Sequence, residues 1–176
     1  MSQMVADSSS LILLARCNLV ERVCDLFEVI VPPAVTSEVA SQRLVREYSD
    51  ASLISDLISK GAIRTQSVAR AGFPLSISLD QGEKEALLLA IELGKLQLAT
   101  DDGKAIKAAR FLGVPFAITP KIVVELHRLQ RISFKMATES SEMLGRIGRY
   151  SPEIIGDALL SLVEQKNGKA DNRKDT

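Results

Sequence analysis

The chain has 176 residues, of which 46% are hydrophobic, and its 22 basic and 22 acidic residues give a formal net charge of zero. This length and apolar content predict one folded domain and exclude a disordered chain. The neutral charge excludes a general basic coat for nucleic acid. Aromatic residues make up only 4% of the chain, so stacking platforms for single-stranded bases are scarce.

Turn and capping residues divide the first part of the chain into short strands and helices. Asp7 or Ser8 is expected to cap the first helix and Asn18 the second, and Val35, Val39 and Leu44 are expected to lie on one helix. The expected order is a strand at 3–6, a helix through 11–14, a helix at 19–26, a strand at 28–31, a helix from Pro32–Pro33, a helix through 53–58, and an edge strand at 62–65.

The second part continues the alternation and then becomes helical. We expect a loop at 66–78, a helix at 79–93, a strand at 96–100, a helix at 104–112, a strand at 114–118 and a helix at 120–129. Further helices are expected at 134–147 and from Pro152. The alternation predicts an α/β fold with a parallel sheet. The expected organisation is one domain over 1–166, in which 134–166 form a C-terminal helical appendage, followed by a disordered tail at 167–176.

The composition also predicts the compartment. Cys17 and Cys24 lack the spacing of a metal site, which is typical of reduced thiols in a cytosolic protein. No apolar run is long enough to span a membrane, and no cleavable signal segment is visible. We therefore expect a cytoplasmic protein without a membrane partner.

Acidic residues lie at four places where a predicted strand is followed by a predicted helix. In a parallel sheet such positions meet at one edge, and ligands bind there. Taken alone, Asp7 would serve as a helix cap and Glu38 as a solvated helix residue. Together, clustered carboxylates repel one another unless a divalent cation lies between them, and hard oxygen ligands favour Mg²⁺ or Mn²⁺. The acidic positions are Asp7, Glu38, Glu83 with Glu85, and Asp101 with Asp102.

The charge distribution suggests the substrate. Acidic residues outnumber basic ones in 1–102, whereas basic residues outnumber acidic ones in 103–150. Lys104, Lys107 and Arg110 are spaced to form one stripe on a helix, which either contacts an RNA backbone or is the solvated face of an ordinary amphipathic helix. His127 is the only histidine, and we expect it to be a surface or partly buried side chain rather than a metal ligand.

Three segments together resemble a known family. They are DSSSLILLA at 7–15, VIVPPAVTSEV at 29–39 and LDQGEKEA at 79–86. The combination is similar to PIN domains, the small nuclease fold of toxin ribonucleases in type II toxin–antitoxin modules and of related RNA-processing enzymes, and in particular to a poorly characterised bacterial and archaeal subfamily. The ending Tyr150–Glu153 with its last helix is similar too, so the resemblance covers about residues 3–165. It implies a three-layer fold with a central parallel sheet flanked by helices, plus C-terminal helices.

The resemblance also implies the site residues. The family's four acidic positions fall on Asp7, Glu38, Glu83 and Asp102 as catalytic residues and metal ligands, and Asp101 is the alternative to Asp102 or its partner in binding the metal. Glu85 lies about 200° around the helix from Glu83, so only one of them faces the site, and an offset of one turn would exchange them. Ser9 and Thr100 match positions where the family often keeps a hydroxyl near the metal, and with Lys104, Lys107 and Arg110 they are candidates for RNA contact.

The expected function is therefore a Mg²⁺- or Mn²⁺-dependent endoribonuclease, the toxin of a toxin–antitoxin pair. The resemblance implies a homodimer and a cognate antitoxin that blocks the site. One alternative is a PIN nuclease of RNA processing, and another is a catalytically silent PIN fold that binds nucleic acid or protein. A response-regulator receiver fits poorly, because its acidic pair would follow the first strand, whereas Asp101–Asp102 come late in the chain.

Overall fold

The computed structural model describes residues 2–69 and 78–171, with side chains as far as residue 167. The chain divides into two compact units, Met1–Thr119 and Pro120–Thr176. Residues 66–69 and 78 belong to no helix or strand, and the rest of the loop expected at 66–78 lies outside the described residues. The single domain expected over 1–166, with its appendage from residue 134, stays a prediction.

Unit 1 contains a parallel β-sheet of five short strands. Strands covered on both faces carry continuous apolar runs, and Val5, Ile30 and Leu98 have no exposed surface. The order across the sheet is β3-β2-β1-β4-β5, which makes the strand expected at 62–65 an edge strand, as predicted. The strands are β1 (Ser2–Ala6), β2 (Phe27–Val31), β3 (Ile63–Thr65), β4 (Gln97–Ala99) and β5 (Phe116–Ala117).

The register of the sheet brings the ends of three strands together. Ala6 pairs with Ala99, and Ala99 pairs with Ala117, each pair in parallel. The residues that follow β1, β4 and β5 therefore leave the sheet at the same edge. These strand ends carry Asp7, Thr100 and Thr119.

Helices follow the strands of unit 1 and flank the sheet, which confirms the predicted α/β class. Gly113 closes the last of them with a φ of +64°, a left-handed conformation that glycine adopts without a steric penalty. The helices of this unit are α1 (Ser8–Arg16), α2 (Val20–Cys24), α3 (Pro33–Val39), α4 (Gln42–Glu47), α5 (Ser49–Ser59), α6 (Gln81–Glu92) and α7 (Gly103–Leu112).

Two local expectations for unit 1 are wrong. Asn18 does not cap α2, whose N-cap is Leu19. It has a φ of +55° directly after the C-cap of α1, and the short polar side chain of asparagine tolerates this conformation. The helix expected through Val35, Val39 and Leu44 is interrupted, because Ser41 is extended (φ −63°, ψ 150°) and starts α4 as a separate helix without buried residues.

Unit 2 holds α8 (Thr119–Arg128, which starts at the last residue of unit 1), α9 (Phe134–Ile147) and α10 (Pro152–Asp171). The hydroxyl of Ser133 caps α9 by accepting the N–H of Met136 at 3.1 Å. A Cβ built on Gly145 would lie 3.5 Å from Ile155, so α9 and α10 approach closely there. α10 extends past residue 167, where the tail was expected to begin, and residues 172–176 lie outside the described part.

His127 and the two cysteines are packed into the protein. His127 is 8% exposed, more buried than expected, with Nδ1 3.2 Å from the Ile132 carbonyl and its ring edge-on to Phe134. Burial raises the pKa of the Cys17 and Cys24 thiols to about 11. None of the described helices is long and apolar enough to cross a membrane.

Candidate active site

Asp7 lies at the carboxyl end of β1, where it caps α1. Its Oδ1 accepts the backbone N–H of Ser10 at 3.0 Å and the hydroxyl of Ser9 at 2.7 Å. Its Oδ2 accepts the hydroxyl of Thr100 from the end of β4. The residue is 1% exposed. Three donors therefore hold a carboxylate that water does not reach.

The surroundings of Asp7 disfavour its negative charge. Its pKa is raised from 3.8 to about 6, mainly by burial and in smaller part by the charge of Asp101. The hydrogen bonds from Ser10, Thr100 and Ser9 act in the opposite direction but do not cancel the effect of burial. At neutral pH, Asp7 is thus a buried carboxylate whose charge is only partly compensated.

The two acidic residues after β4, Asp101 and Asp102, have different hydrogen-bond partners. Asp101 is held by the end of β5, because Thr119 donates its N–H to Oδ1 at 2.8 Å and its hydroxyl to Oδ2. The N–H of Asp101 donates to the Ser9 hydroxyl at 3.0 Å. Asp102 caps α7, and its Oδ1 accepts the N–H groups of Lys104 and Ala105 at 2.7 and 2.9 Å.

Glu38, near the end of α3, is held by a backbone group of α6. Its Oε1 accepts the N–H of Gly82 at 3.0 Å, and its Oε2 accepts the hydroxyl of Ser8. A Cβ built on Gly82 would lie 2.4 Å from Oε2 and 2.5 Å from Oε1. Glycine is therefore the only residue type that leaves the Glu38 carboxylate where it is.

Glu83 lies in the first turn of α6, where it completes a capping box with Asp80. Its Oε2 accepts the N–H of Asp80 at 3.1 Å, and Asp80 Oδ1 accepts the N–H of Glu83 at 2.9 Å. The pKa of Glu83 is raised to about 7, first by burial and then by the charges of Asp102, Asp80 and Asp7.

Glu85 has different partners. Its Oε2 accepts the N–H of Ala34 at 3.2 Å, and its Oε1 accepts the side-chain amide of Gln81 at 2.6 Å. The predicted alternation around α6 thus gives the two glutamates separate surroundings, and it is Glu83 whose pKa responds to Asp7 and Asp102.

Electrostatic coupling links the acidic residues into one cluster. Asp101 acts on Asp7, and both Asp7 and Asp102 act on Glu83, in each case by repulsion. Within residues 2–69 and 78–171, however, no three acidic, histidine or cysteine side chains converge tightly enough to hold a metal ion in their present positions. Their oxygens already accept N–H and O–H donors of the protein.

The chemistry of this donor set fits a hard divalent cation. Every candidate ligand is a carboxylate or hydroxyl oxygen, the type that Mg²⁺ and Mn²⁺ prefer. The raised pKa values of Asp7 and Glu83 show an excess of negative charge that a cation would relieve. The cluster thus supplies suitable ligands, although the carboxylates would have to turn from their present partners to share one ion.

The basic residues predicted to contact RNA lie on α7, which begins at Asp102. Lys104, Lys107 and Arg110 are all exposed. The stripe therefore starts two residues after Asp102 and continues along the helix.

Sequence reasoning did not select three residues that hold the cluster, namely Ser8, Gly82 and Thr119. Thr119 follows β5 much as Thr100 follows β4, and this similarity at the ends of neighbouring strands is visible in the sequence. The contact of Gly82 with Glu38 spans 44 positions and has no local signal.

Comparison with known proteins agrees with this architecture. A family model described as a PIN domain matches residues 3–165. No curated protein gives a significant match to the chain. PIN domains are generally nucleases that use divalent metal ions and typically bind nucleic acid. The match covers nearly the whole chain and coincides with a five-stranded parallel sheet flanked by helices, so the chain belongs to the PIN-domain family.

Proposed function

We propose that this protein is a metal-dependent endoribonuclease. The observation that carries the proposal is the group of carboxylates at the carboxyl edge of the sheet, where burial, together with the charges of neighbouring carboxylates, raises the pKa of Asp7 to about 6 and that of Glu83 to about 7. Strongly perturbed carboxyl groups are found preferentially at functional sites, where their pKa values are matched to binding or catalysis.

The proposed metal ligands are Asp7, Glu38, Glu83 and Asp102, with Asp101 as the alternative to Asp102 or its partner. A Mg²⁺ or Mn²⁺ ion held there would neutralise charge on the scissile phosphodiester and make water acidic enough to attack it. The oxygen-only donor set and its excess of negative charge support this choice of cation.

The neighbouring residues hold the reactive carboxylates in place. Ser9 and Thr100 donate to the two oxygens of Asp7, and Thr119 donates to both oxygens of Asp101. These bonds restrict the rotation of each carboxylate. Thr100 has no exposed surface, so of the two hydroxyl residues predicted to contact RNA only the partly exposed Ser9 stays a candidate.

The basic stripe on α7 would bind the RNA backbone. Lys104, Lys107 and Arg110 form no ion pair among the described residues, so their charges are available to phosphate groups. Because the stripe begins beside Asp102, a bound strand would extend from the acidic cluster along the helix.

The proposed cellular role is that of a cytoplasmic toxin which acts as a homodimer and is blocked by a cognate antitoxin. This role rests on the family resemblance of the motifs at 7–15, 29–39 and 79–86. A neighbouring gene for a small DNA-binding antitoxin would support it, whereas the absence of such a gene would favour an RNA-processing nuclease.

A second candidate is a catalytically silent PIN fold that binds nucleic acid or protein. One observation favours it: each carboxylate of the cluster already accepts donors from the protein itself, as Glu38 does from Gly82 and Ser8. In that case the carboxylates serve as helix caps and cross-links, and the protein binds RNA without cutting it.

Incubation of purified protein with labelled single-stranded RNA and Mn²⁺ tests the proposal. We expect internal cleavage that EDTA abolishes, with 5′-phosphate products, because water rather than the ribose 2′-hydroxyl is the proposed nucleophile. Asp7→Asn should lose cleavage, and Asp56→Asn, an exposed change on α5, should retain it. Cleavage that survives EDTA, or that leaves a 2′,3′-cyclic phosphate, would exclude the mechanism. Metal and RNA binding without cleavage would favour the silent module.

A further inference from the structure

Phe111 is the most exposed large hydrophobic side chain in the described part of the protein. It lies near the end of α7, and 75% of its surface is exposed. An aromatic ring in water leaves a large apolar area without a partner. An exposed hydrophobic residue on its own needs no explanation, but the surroundings of Phe111 are unusual for this protein.

Phe111 shares a helix face with two cations. It lies four residues after Lys107 and seven after Lys104, so the three side chains follow one another along α7. At about 1.5 Å per residue, the ring lies roughly 10 Å along the axis from Lys104. This face begins at Lys104, two residues after Asp102 of the acidic cluster, and ends about two turns further on at an exposed ring.

Two further cations, Arg110 and Lys95, lie at or near the end of α7. The guanidinium of the adjacent Arg110 lies over the ring of Phe116, 5.3 Å from its centroid. Lys95 donates from Nζ to the carbonyl of Leu112 at 2.9 Å, which places another cation at the end of α7. An aromatic ring among cations is the composition of single-strand-binding surfaces, in which bases stack and phosphates are neutralised.

We propose that Lys104, Lys107, Arg110 and Phe111, here called the α7 strip, bind single-stranded RNA with one unpaired base stacked on Phe111. The inference rests on the proposed function in one respect, the choice of RNA as the nucleic acid. It adds a recognition element that selects unpaired substrate, because a base inside a duplex has no free face to offer the ring. The stacked nucleotide lies about two and a half helical turns along α7 from Asp102.

The charges of the strip favour a nucleic acid over a protein partner. A protein that covered Phe111 would also remove Lys104 and Lys107 from water, and neither has an acidic partner among the described residues. A polyanion compensates the same charges. Base stacking also needs a flat ring, whereas a hydrophobic contact with protein accepts any apolar side chain.

Phe111→Leu separates these two kinds of contact, because leucine keeps the apolar volume and removes the ring. Binding is measured in EDTA, which prevents cleavage, by the fluorescence anisotropy of a labelled single-stranded RNA. We expect binding to weaken about tenfold for Phe111→Leu, to be kept by Phe111→Trp, and to be unchanged by Leu160→Ala, an equally apolar exposed position on α10. A 2-aminopurine base in the RNA should be quenched by the wild type and not by Phe111→Leu.

The outcomes distinguish this inference from the proposed function. If the wild type binds RNA through Phe111 but does not cleave it, the α7 strip is supported and the proposed nuclease activity is refuted. If the wild type cleaves RNA and Phe111→Leu binds RNA as tightly as the wild type does, the nuclease activity is supported and the stacking on Phe111 is refuted. If Phe111→Leu changes the oligomeric state in size-exclusion chromatography without changing the RNA affinity, Phe111 belongs to a protein interface. This result also refutes the stacking.

Discussion

Replacement of Asp7 by asparagine should make the metal-free protein more stable at neutral pH. Asp7 is 1% exposed, and its pKa is raised to about 6, mainly by burial and further by the charge of Asp101. At pH 7.5 the folded protein therefore holds an ionised carboxylate in an environment that disfavours it. Asparagine has nearly the same shape, still accepts the Ser10 N–H as a helix cap, and carries no charge.

The size of the gain follows from the pKa. The rise from 3.8 to about 6 is about two pKa units, which corresponds to about 3 kcal/mol at pH values where the group is ionised in both states. Because the asparagine amide fits the Thr100 hydroxyl less well than a carboxylate does, we expect about half of this. Roughly 1.5 kcal/mol raises the Tm of a chain of this length by about 3–6 °C.

The change of stability with pH follows from proton binding at Asp7. Between about pH 4 and pH 6 the folded state binds more protons at Asp7 than the unfolded state does, so stability falls as the pH rises through this interval and is level above it. The gain of Asp7→Asn should therefore be complete at pH 7.5 and nearly absent at pH 4.0.

Thermal unfolding followed by circular dichroism in EDTA measures this difference at both pH values. Asp56→Asn, which removes an exposed carboxylate from α5, is the matched control and should leave Tm almost unchanged. A Tm of Asp7→Asn below that of the wild type at pH 7.5, or an equal gain at pH 4.0, would refute the reasoning.

Three further predictions concern single side chains. Gly82→Ala should sharply reduce RNA cleavage, because the new Cβ would lie 2.4 Å from Glu38 Oε2, whereas Gly103→Ala, with no atom within 4 Å, should keep it. Glu83→Gln should abolish cleavage, and Glu85→Gln should retain most of it; the reverse result would mean that the register of α6 relative to the site is wrong. Both cysteines should resist alkylation at pH 8 in the folded protein and react after unfolding, as their pKa of about 11 implies.

Much of the fold was predictable because its signals are local. Apolar runs with β-branched residues marked the strands, and a capping residue or glycine marked most helix ends, as Gly113 does for α7. The predictions failed where two local readings compete. Asparagine suits both a helix cap and a left-handed turn, and Asn18 forms the turn because it directly follows the C-cap of α1. The break at Ser41 likewise depends on its backbone conformation, which no apolar period reveals.

The cluster was predictable only in outline. That carboxylates following β1 and β4 meet follows from the parallel register, in which Ala6 lies beside Ala99. How each carboxylate turns depends on contacts between distant segments, such as Thr119 with Asp101 and Gly82 with Glu38. Gly82 illustrates the difficulty, because the side chain that leaves no room for a Cβ at residue 82 is that of Glu38, which lies on another helix.

The fold by itself does not require a carboxylate at residue 7. Asparagine or serine also caps a helix, without the cost of a buried charge beside Asp101. The charge is explained if a cation binds there, because a ligand that binds only the folded state stabilises it by about 2.7 kcal/mol at a hundred times its Kd. This exceeds the roughly 1.5 kcal/mol expected from Asp7→Asn. The order of stability should therefore reverse: Asp7→Asn has the higher Tm in EDTA, and the wild type has the higher Tm in saturating Mn²⁺. If Asp7→Asn stays more stable in both, the buried charge does not serve a cation.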